Sequence, residues 1–245
     1  MSVRKIPVIE EGDFREVIGT AFKEKRHVSY LKKVLIDFEE YKKVFSQVFT
    51  TENPLQVVYI FRFHYIDKRP VWRDIAIFGR QTLSNLAETI IDWMDWDNDH
   101  MHAFSLKKLH GKSLSRYTEF SLYAPGWEDD PYPTFKTNNI KVADIDWQKY
   151  PKWNFVFDFG ASYEFDVELR KIETKLIDKD FDEPLPTCVD LRGVAPFQYP
   201  EYDGPKEWEF DEKCPHCQAL KESGGKLAWF PDEPKKLTKR QSLVV

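Results

Sequence analysis

Residues 55–66, LQVVYIFRFHYI, alternate apolar side chains in a way that strongly constrains the fold. Side chains two positions apart share one face of a β-strand, and here six apolar or aromatic residues share a face, whereas Val58 and Ile60 point to the other side. After the turn DKRP, residues 71–78, VWRDIAIF, have the composition of a second strand. The short turn between them predicts an antiparallel hairpin that is covered on one face and partly covered on the other.

The remaining periodicity predicts helices before and after this hairpin. From about residue 13 to residue 50, apolar side chains follow the three- and four-residue spacing of amphipathic helices, with charged residues on the opposite face. A further helix begins after Thr82, whose side chain can accept a hydrogen bond from a free backbone N–H, and ends before the polar stretch DWDND. Strands are predicted at residues 100–107 and near residues 117–123, with a hairpin around Gly160.

Together these elements predict an α+β fold, in which a mainly antiparallel sheet packs against helices and a helical extension precedes it. We divide the chain into that N-terminal helical extension (1–53), an α+β domain (54–205), and a C-terminal segment (206–245) with a Cys-x-x-Cys motif and a flexible tail. A chain of 245 residues suits one large domain with such appendages.

Charge and hydropathy restrict the partners and the compartment. The formal net charge of −5 argues against broad electrostatic binding to duplex DNA, although a local basic patch is compatible with it. No apolar run reaches the roughly 18 residues of a membrane span, and the N-terminus lacks the apolar core of a secretory signal. Three cysteines leave at least one without an internal partner, which favours a reduced, cytoplasmic protein.

Four motifs occur in an order that resembles a known family. They are RPVWRDI (69–75), TLSNLAETIIDWMDWDNDHMHAF (82–104), FVFDFGASYEF (155–165) and LPTCVD (185–190). In this order they resemble the plasmid pRiA4b ORF-three-like family, which is also described as transposon-passenger proteins of the TnpR type. The resemblance covers about residues 55–204 and implies an α+β domain with a mainly antiparallel sheet, but no established biochemical activity.

Several polar positions of the family pattern differ in this chain. A family histidine in the central helix is Ala87 here. In the Asp-Phe-Gly block, the second Asp, the Trp and the terminal His of the pattern are Ala161, Tyr163 and Phe165. The positions that are kept include Pro70, Trp72, Arg73, Trp96, His100, His102, Phe104, Asp158, Gly160 and Cys188. If the family has a polar active constellation, the resemblance implies that this chain has lost or altered it.

His100 and His102 form a His-x-His pair that permits two interpretations. Side chains two apart in a strand share a face, so both imidazoles could bind one metal ion together with further ligands. The alternative is structural: one histidine donates a hydrogen bond to a carboxylate such as Asp158, or to a backbone carbonyl, and fixes the strand. We favour the structural interpretation, because the family histidine that would be the natural third ligand is Phe165 here. The Asp-Phe-Gly triplet itself predicts a turn, in which Gly160 has a positive φ and Asp158 accepts hydrogen bonds from backbone amides.

Trp72 and Arg73 lie in a stretch, RPVWRD, that is both basic and aromatic. Such side chains together can hold single-stranded nucleic acid by stacking and by charge. The alternative, which the neighbouring Asp67 and Asp74 favour, is that Trp72 is a core anchor beside a structural Arg–Asp pair.

Cys214 and Cys217 form the motif CPHC, which could provide two of the four ligands of a zinc site. Cys188 is a candidate third ligand, and a histidine would be the fourth. Zinc is therefore a candidate cofactor, and ordinary thiols without a metal are the alternative. A thioredoxin-type redox site is disfavoured, because the preceding EWEFDEK is too short and too polar for a buried strand.

Three functional hypotheses follow from these observations. The first is a non-enzymatic interaction module, in which the aromatic sheet and the acidic, proline-rich loop YAPGWEDDPYP (123–133) bind a protein or a peptide. The second is a nucleic-acid-associated protein linked to mobile elements, for which we expect weak, salt-dependent binding. The third is a metal-dependent enzyme that uses the His-x-His pair. The loss of polar family positions on a retained scaffold favours the first hypothesis.

Overall fold

The computed structural model describes residues 4–66, 70–114, 118–174 and 184–199, and all elements below lie within those ranges. The helices are α1 (Gly12–Lys23), α2 (Val28–Val48) and α3 (Leu83–Trp93). The strands are β1 (Val58–Tyr65), β2 (Trp72–Phe78), β3 (His102–Leu106), β4 (Lys108–Leu109), β5 (Lys112–Ser113), β6 (Ser121–Tyr123), β7 (Lys152–Phe157), β8 (Tyr163–Glu173) and β9 (Thr187–Arg192). Two short 3₁₀ helices, Thr137–Asn139 and Val142–Asp144, precede β7.

Seven strands form one sheet in the order β6-β3-β7-β8-β1-β2-β9, and all neighbours in it are antiparallel. The hairpins β1–β2 and β7–β8 are the two that the sequence predicts. The predicted strands at residues 100–107 and near residues 117–123 are shorter in the structure, because β3 begins only at His102 and β6 has three residues. An antiparallel sheet with helices packed against it confirms the α+β fold class.

The sheet has one helix-covered face and one outer face. On the helix-covered face, alternate side chains such as Phe61, Phe63 and Phe155 belong to one large core cluster that also contains the apolar residues of α2 and α3. On the outer face, Val58 and Phe78 belong to a separate, smaller apolar cluster. The alternation in β1 accounts for both clusters, because successive side chains of a strand point to opposite faces.

The N-terminal helices pack onto the sheet, as their apolar faces predict. Phe38, Tyr41 and Phe45 of α2 are fully buried in the main core cluster. The Tyr41 hydroxyl donates a hydrogen bond to the carbonyl oxygen of Ser121 in β6 (2.8 Å) and accepts one from the backbone N–H of Phe135 (3.0 Å). These two buried hydrogen bonds fix α2 to the β6 edge of the sheet.

Helix α3 begins with the cap that the sequence predicts. Oγ1 of Thr82 accepts a hydrogen bond from the backbone N–H of Asn85 (3.3 Å), and Oδ1 of Asn85 accepts one from the backbone N–H of Thr82 (3.1 Å). The apolar face of this helix, including Leu86 and Ile90, is buried against the sheet. Among the helices of the described ranges, none has the length and apolar character that crossing a membrane requires.

Candidate functional site

His102 is a core residue. Its side chain lies on the helix-covered face, where Nε2 is 3.0 Å from Oγ1 of Thr137, which in turn is 2.8 Å from Oγ of Ser84. The ring also contacts Phe155, with 5.9 Å between the centroids. Burial lowers the pKa of His102 from the usual 6.5 to about 4, so the imidazole is neutral near pH 7. These contacts support the structural interpretation of this histidine.

His100 has different surroundings, because it lies outside the strand in the loop before β3. Its Nε2 atom is 3.5 Å from Oδ2 of Asp158 and 3.8 Å from Oδ1 of Asp99, and 44% of the side chain is exposed. The predicted proximity of a histidine to Asp158 is therefore present. These distances suit an ion pair when the imidazole is protonated, but they are long for a direct hydrogen bond.

Asp158 organises the turn between β7 and β8. Its Oδ1 atom accepts hydrogen bonds from the backbone N–H groups of Gly160 (2.9 Å) and Ala161 (3.1 Å), as predicted. The prediction that Gly160 has the positive φ was wrong, because Asp158 (54°) and Ser162 (57°) have it instead. An aspartate tolerates the left-handed region when its side chain bonds to the local backbone, as it does here.

The His-x-His pair does not assemble into a metal-binding cluster in the structure. Within residues 4–66, 70–114, 118–174 and 184–199, no three His, Cys, Asp or Glu side chains are placed to hold one ion. Nε2 of His102 faces a threonine hydroxyl, whereas Nε2 of His100 faces two carboxylates. The two imidazoles therefore have separate polar partners.

Residues 194–199 form a strap that crosses the loop after α3, a contact that the sequence did not predict. Nε1 of Trp96 donates to the carbonyl oxygen of Pro196 (2.8 Å). The Gln198 side chain accepts from the backbone N–H of Asp97 (2.6 Å), and donates to the Asp97 carbonyl oxygen (2.9 Å) and to Oδ1 of Asp99 (3.0 Å). Partial burial alone would raise the pKa of Asp99, but hydrogen bonds from the Tyr199 hydroxyl and other donors, with nearby His100, lower it overall.

Arg73 is the buried arginine of the RPVWRD stretch. Only 1% of it is exposed, and burial lowers its pKa. Nε donates to the carbonyl oxygen of Trp93 (3.0 Å) at the end of α3, and Nη1 donates to those of Arg192 (3.1 Å) and Gly193 (3.2 Å) after β9. Arg73 therefore clamps α3 and β9 onto β2, which is a structural role.

Trp72 lies on the outer face and is only half-buried, so the prediction that it is a core anchor was wrong. Its neighbour Arg73 takes the inward position, since adjacent residues of a strand face opposite sides. The guanidinium of Arg62 stacks on the Trp72 ring at 3.7 Å from the centroid and forms two hydrogen bonds of 2.7 Å with the carboxylate of Asp74. A structural Arg–Asp pair is thus present beside Trp72, but Arg62 supplies the arginine.

The outer face carries charges of both signs in register. Across β7, β8, β1, β2 and β9, one row of paired positions consists of Lys152, Glu168, Arg62, Asp74 and Asp190. This row therefore mixes basic and acidic side chains and is not a continuous basic surface. Such an arrangement is typical of a solvated sheet face.

A second group of aromatic residues lies where the acidic loop meets the β7–β8 turn. The rings of Tyr123 and Trp127 stack in parallel, with centroids 5.0 Å apart, and Phe159 contacts Trp127 from another side at 4.7 Å. Nε1 of Trp127 donates to Oδ2 of Asp130 (2.9 Å), and Nζ of Lys136 donates to the Trp127 carbonyl oxygen (2.5 Å). All three rings are half-buried.

Acidic side chains border this aromatic group. Glu128 and Asp129 follow Trp127 directly and are exposed. We call the set of Tyr123, Trp127, Phe159, Glu128 and Asp129 the aromatic–acidic surface. The loop is acidic in sequence, but the contact of Trp127 with Phe159 joins residues that no local pattern connects.

Cys188 lies in β9 as a half-buried free thiol. Its Sγ donates a hydrogen bond to the carbonyl oxygen of Asp190 (3.2 Å), and burial raises its pKa to about 12. The thiol is therefore protonated near pH 7 as it stands. Cys214 and Cys217 lie outside the described residues, so the shared zinc site stays a prediction.

A comparison with protein families agrees with the sequence motifs. The family model described as plasmid pRiA4b ORF-3-like protein matches residues 63–209. The chain belongs to this family. A search of curated proteins found no match to the chain. Its structure is similar to the crystal structure of a protein of unknown function from Methanosarcina mazei Go1, at 21% identity and a TM-score of 0.46, over 58% of this chain and 73% of the other.

The family match divides the molecule into two parts. It includes most of the sheet, α3, both histidines and the aromatic–acidic surface, whereas α1 and α2 precede it. The resemblance that the sequence motifs indicated is thereby confirmed.

Proposed function

We propose that this ORF-3-like protein is a non-enzymatic, cytoplasmic interaction module that binds a protein or peptide at the aromatic–acidic surface. The observation that carries the proposal is the placement of Trp127. Its ring is half-exposed, lies against both Tyr123 and Phe159, and is fixed by a hydrogen bond to Asp130. A tryptophan held in this way has little rotamer freedom left to lose when a partner covers it.

The geometry resembles the energetic centre of many protein interfaces. Tryptophan and tyrosine supply large contact areas, and truncation of such residues often weakens binding strongly. Ordering a flexible side chain costs roughly 0.5–1.5 kcal/mol on association, and a pre-ordered ring avoids most of that cost. We therefore expect Trp127 to contribute more to binding than its modest exposed area suggests.

The charges around the rings determine the kind of partner. Glu128 and Asp129 are exposed next to Trp127, and the chain as a whole has a net charge of −5. Both favour a basic segment, and a Lys or Arg side chain can also lie over an aromatic ring. The expected partner is a segment in which basic residues flank one apolar or aromatic anchor.

The two other hypotheses receive less support from the geometry. A nucleic-acid site at Trp72 would need a free basic side chain, but the charge of Arg62 is matched by the bidentate contact with Asp74. A metal-dependent enzyme that uses the His-x-His pair would need both histidines, but His102 is buried and bonded to Thr137. Under either hypothesis, the ligand should bind without contacting Trp127.

Selection from a random peptide library displayed on phage tests the proposal. Peptides are selected on the unchanged protein and then compared for binding to Trp127→Ala, with Trp72→Ala as the matched tryptophan control. We expect enriched peptides to carry Lys or Arg beside an apolar residue, and to bind Trp127→Ala at least about tenfold more weakly, which equals about 1.4 kcal/mol. The Trp72→Ala variant should bind them as the unchanged protein does.

A second variant separates folding from binding. Glu128→Gln with Asp129→Asn changes only exposed side chains, so it should keep the fold and weaken the same peptides by removing their charge partners. Enrichment of acidic or uncharged peptides, or equal binding to Trp127→Ala, would overturn the proposal. Tight binding of a single-stranded oligonucleotide that requires Trp72 would support the nucleic-acid hypothesis instead.

A further inference from the structure

The strap (residues 194–199) carries the chain across one end of the sheet. It begins just after β9, which is one edge strand, and ends beside the residues that precede β3, which is next to the other edge strand, β6. At its end, the Tyr199 hydroxyl donates a hydrogen bond to the carboxylate of Asp99, and the Tyr199 ring is 6.4 Å from that of His100. The strap therefore ends on the β3 side of the sheet, away from β9.

The end of the strap lies close to the aromatic–acidic surface. Nε2 of His100 is 3.5 Å from Oδ2 of Asp158, and the next residue, Phe159, provides one of the three rings of that surface. Met101 makes a second connection, because a β-carbon added at Gly126 would be 3.3 Å from its Cε atom. Met101 is exposed, so it lies at the surface between the strap and the acidic loop.

Two carboxylates of the aromatic–acidic surface lack a basic partner within the described residues. Glu128 and Asp129 are exposed, and neither forms an ion pair in that part of the chain. Lys136 lies in the same region, but its Nζ atom is fixed by a hydrogen bond to the carbonyl oxygen of Trp127 (2.5 Å), and Asp130 is also close to it. One lysine therefore faces three carboxylates, and the loop keeps an excess of negative charge.

Residues 200–245 follow the strap and lie outside the described residues, and their sequence divides into an acidic and a basic part. Residues 200–234 contain nine acidic and four basic residues, whereas residues 235–245, KKLTKRQSLVV, contain four basic residues and no acidic one. Leu237 stands between two pairs of basic residues. The basic part therefore has the composition expected of a partner for the aromatic–acidic surface, in which basic residues flank an apolar anchor.

We propose that residues 235–245 of this ORF-3-like protein bind the aromatic–acidic surface of the same chain. In this contact Leu237 lies against Trp127, and the basic side chains lie beside the exposed carboxylates of the acidic loop. The 35 residues between the strap and this segment are more than long enough for it to return to the surface. The inference rests on the proposed function, because it names one partner of that surface. A segment of the same chain competes with an added peptide at every protein concentration.

Charge variants of the whole chain test whether the segment covers the surface. Lys236→Glu with Lys239→Glu, which we call the released variant, should bind the selected peptides at least about threefold more tightly than the unchanged protein. This is the gain expected when the surface is covered in about two of three molecules. Lys221→Glu with Lys226→Glu makes the same change of charge in the acidic part of the sequence. It is the matched control and should leave the affinity unchanged.

A synthetic peptide of residues 234–245 tests the contact with the aromatic rings. Fluorescence anisotropy of the labelled peptide should show saturable binding to the released variant. Binding should be at least about tenfold weaker when Trp127→Ala is added to that variant, because the apolar anchor then loses its ring. Adding Trp72→Ala instead should leave the binding unchanged.

The same peptide tests the contact with the carboxylates. In the released variant, Glu128→Gln with Asp129→Asn should weaken its binding and reduce the dependence of the binding on salt. Asp13→Asn with Glu16→Gln also neutralises two exposed acidic side chains, but on α1, and should leave the binding unchanged. An equal loss in both double variants would show a general attraction of charge and would overturn the proposal.

The remaining outcomes separate this inference from the proposed function. If the selected peptides require Trp127 but bind the unchanged protein and the released variant equally, only this inference fails. If neither the selected peptides nor the 234–245 peptide require Trp127, both fail. A difference between the unchanged protein and the released variant that grows with protein concentration would place the segment on a second copy of the chain, which would overturn binding within one chain.

Discussion

Acidification should destabilise the protein through His102, because its imidazole is buried in the neutral form. Only 5% of this residue is exposed, and burial lowers its pKa from 6.5 to about 4. The unfolded chain therefore binds a proton near pH 6.5, whereas the folded chain resists it down to about pH 4. The stabilising effect of the neutral histidine is complete above the unfolded pKa and is lost as the pH falls through that window.

The expected loss of stability follows from the size of this pKa difference. At about 1.4 kcal/mol per pKa unit, a difference of roughly 2.5 units amounts to about 3 kcal/mol when the loss is complete. Between about pH 7 and pH 5, where the loss is partial, His102 should lower the free energy of unfolding by about 2 kcal/mol. Other groups titrate in the same range, so the quantity to compare is the difference between variants.

Urea unfolding of the unchanged protein, His102→Gln and Thr137→Val at about pH 7 and pH 5 measures that difference. His102→Gln should lose less stability on acidification than the unchanged protein, by about 2 kcal/mol. Thr137→Val removes the hydrogen-bond partner of His102 but keeps the imidazole buried, so it should be less stable at both pH values and keep the pH dependence. An equal pH dependence in the unchanged protein and in His102→Gln would show that His102 does not cause the loss of stability on acidification.

Three further predictions concern packing and the cysteines. Tyr41→Phe should lower the free energy of unfolding by about 1–3 kcal/mol, because it leaves a buried backbone donor and a buried acceptor unpaired. Denaturant unfolding measures this loss, and an unchanged stability would contradict the anchoring of α2. Trp96→Ala should lower the free energy of unfolding by about 3–5 kcal/mol, and Trp72→Ala should lower it clearly less, because of these two tryptophans only Trp96 is buried in the core. Equal melting temperatures for the two variants would contradict this prediction. If a zinc site exists, metal analysis of protein purified without a His-tag should find about one zinc per chain. The double variant Cys214→Ser with Cys217→Ser should lose this zinc. Less than about 0.2 zinc per chain in the unchanged protein would reject the site.

The hairpins and α3 could be predicted because their signals are local. The apolar alternation of β1 and the side-chain cap at Thr82 each depend on a few neighbouring residues, and the structure keeps both. The turn at Asp158 was predicted correctly in its hydrogen bonds but not in its backbone angles. Glycine is the usual residue at a positive φ. Here Asp158 adopts the positive φ instead, and the hydrogen bonds of its side chain to the local backbone stabilise that conformation.

The candidate site could be predicted only in part, because its contacts join distant segments. Trp96 bonds to the carbonyl oxygen of Pro196, which is 100 positions away, and no periodic pattern connects them. The inward and outward positions of Arg73 and Trp72 depend on how β2 lies in the sheet, so the more apolar residue was wrongly expected inside. Phe159 was read only as part of a turn, although it completes the aromatic group around Trp127.

The resonance of the Trp127 indole N–H, followed during titration with a selected peptide, shows directly whether Trp127 lies in the binding surface. The chain has eight tryptophans, and a Trp127→Phe variant identifies this signal by its loss. If Trp127 lies in the binding surface, its signal shifts with the bound fraction of the protein, while the Trp72 signal stays in place. A shift of the Trp72 signal with no change at Trp127 would show that the peptide binds elsewhere.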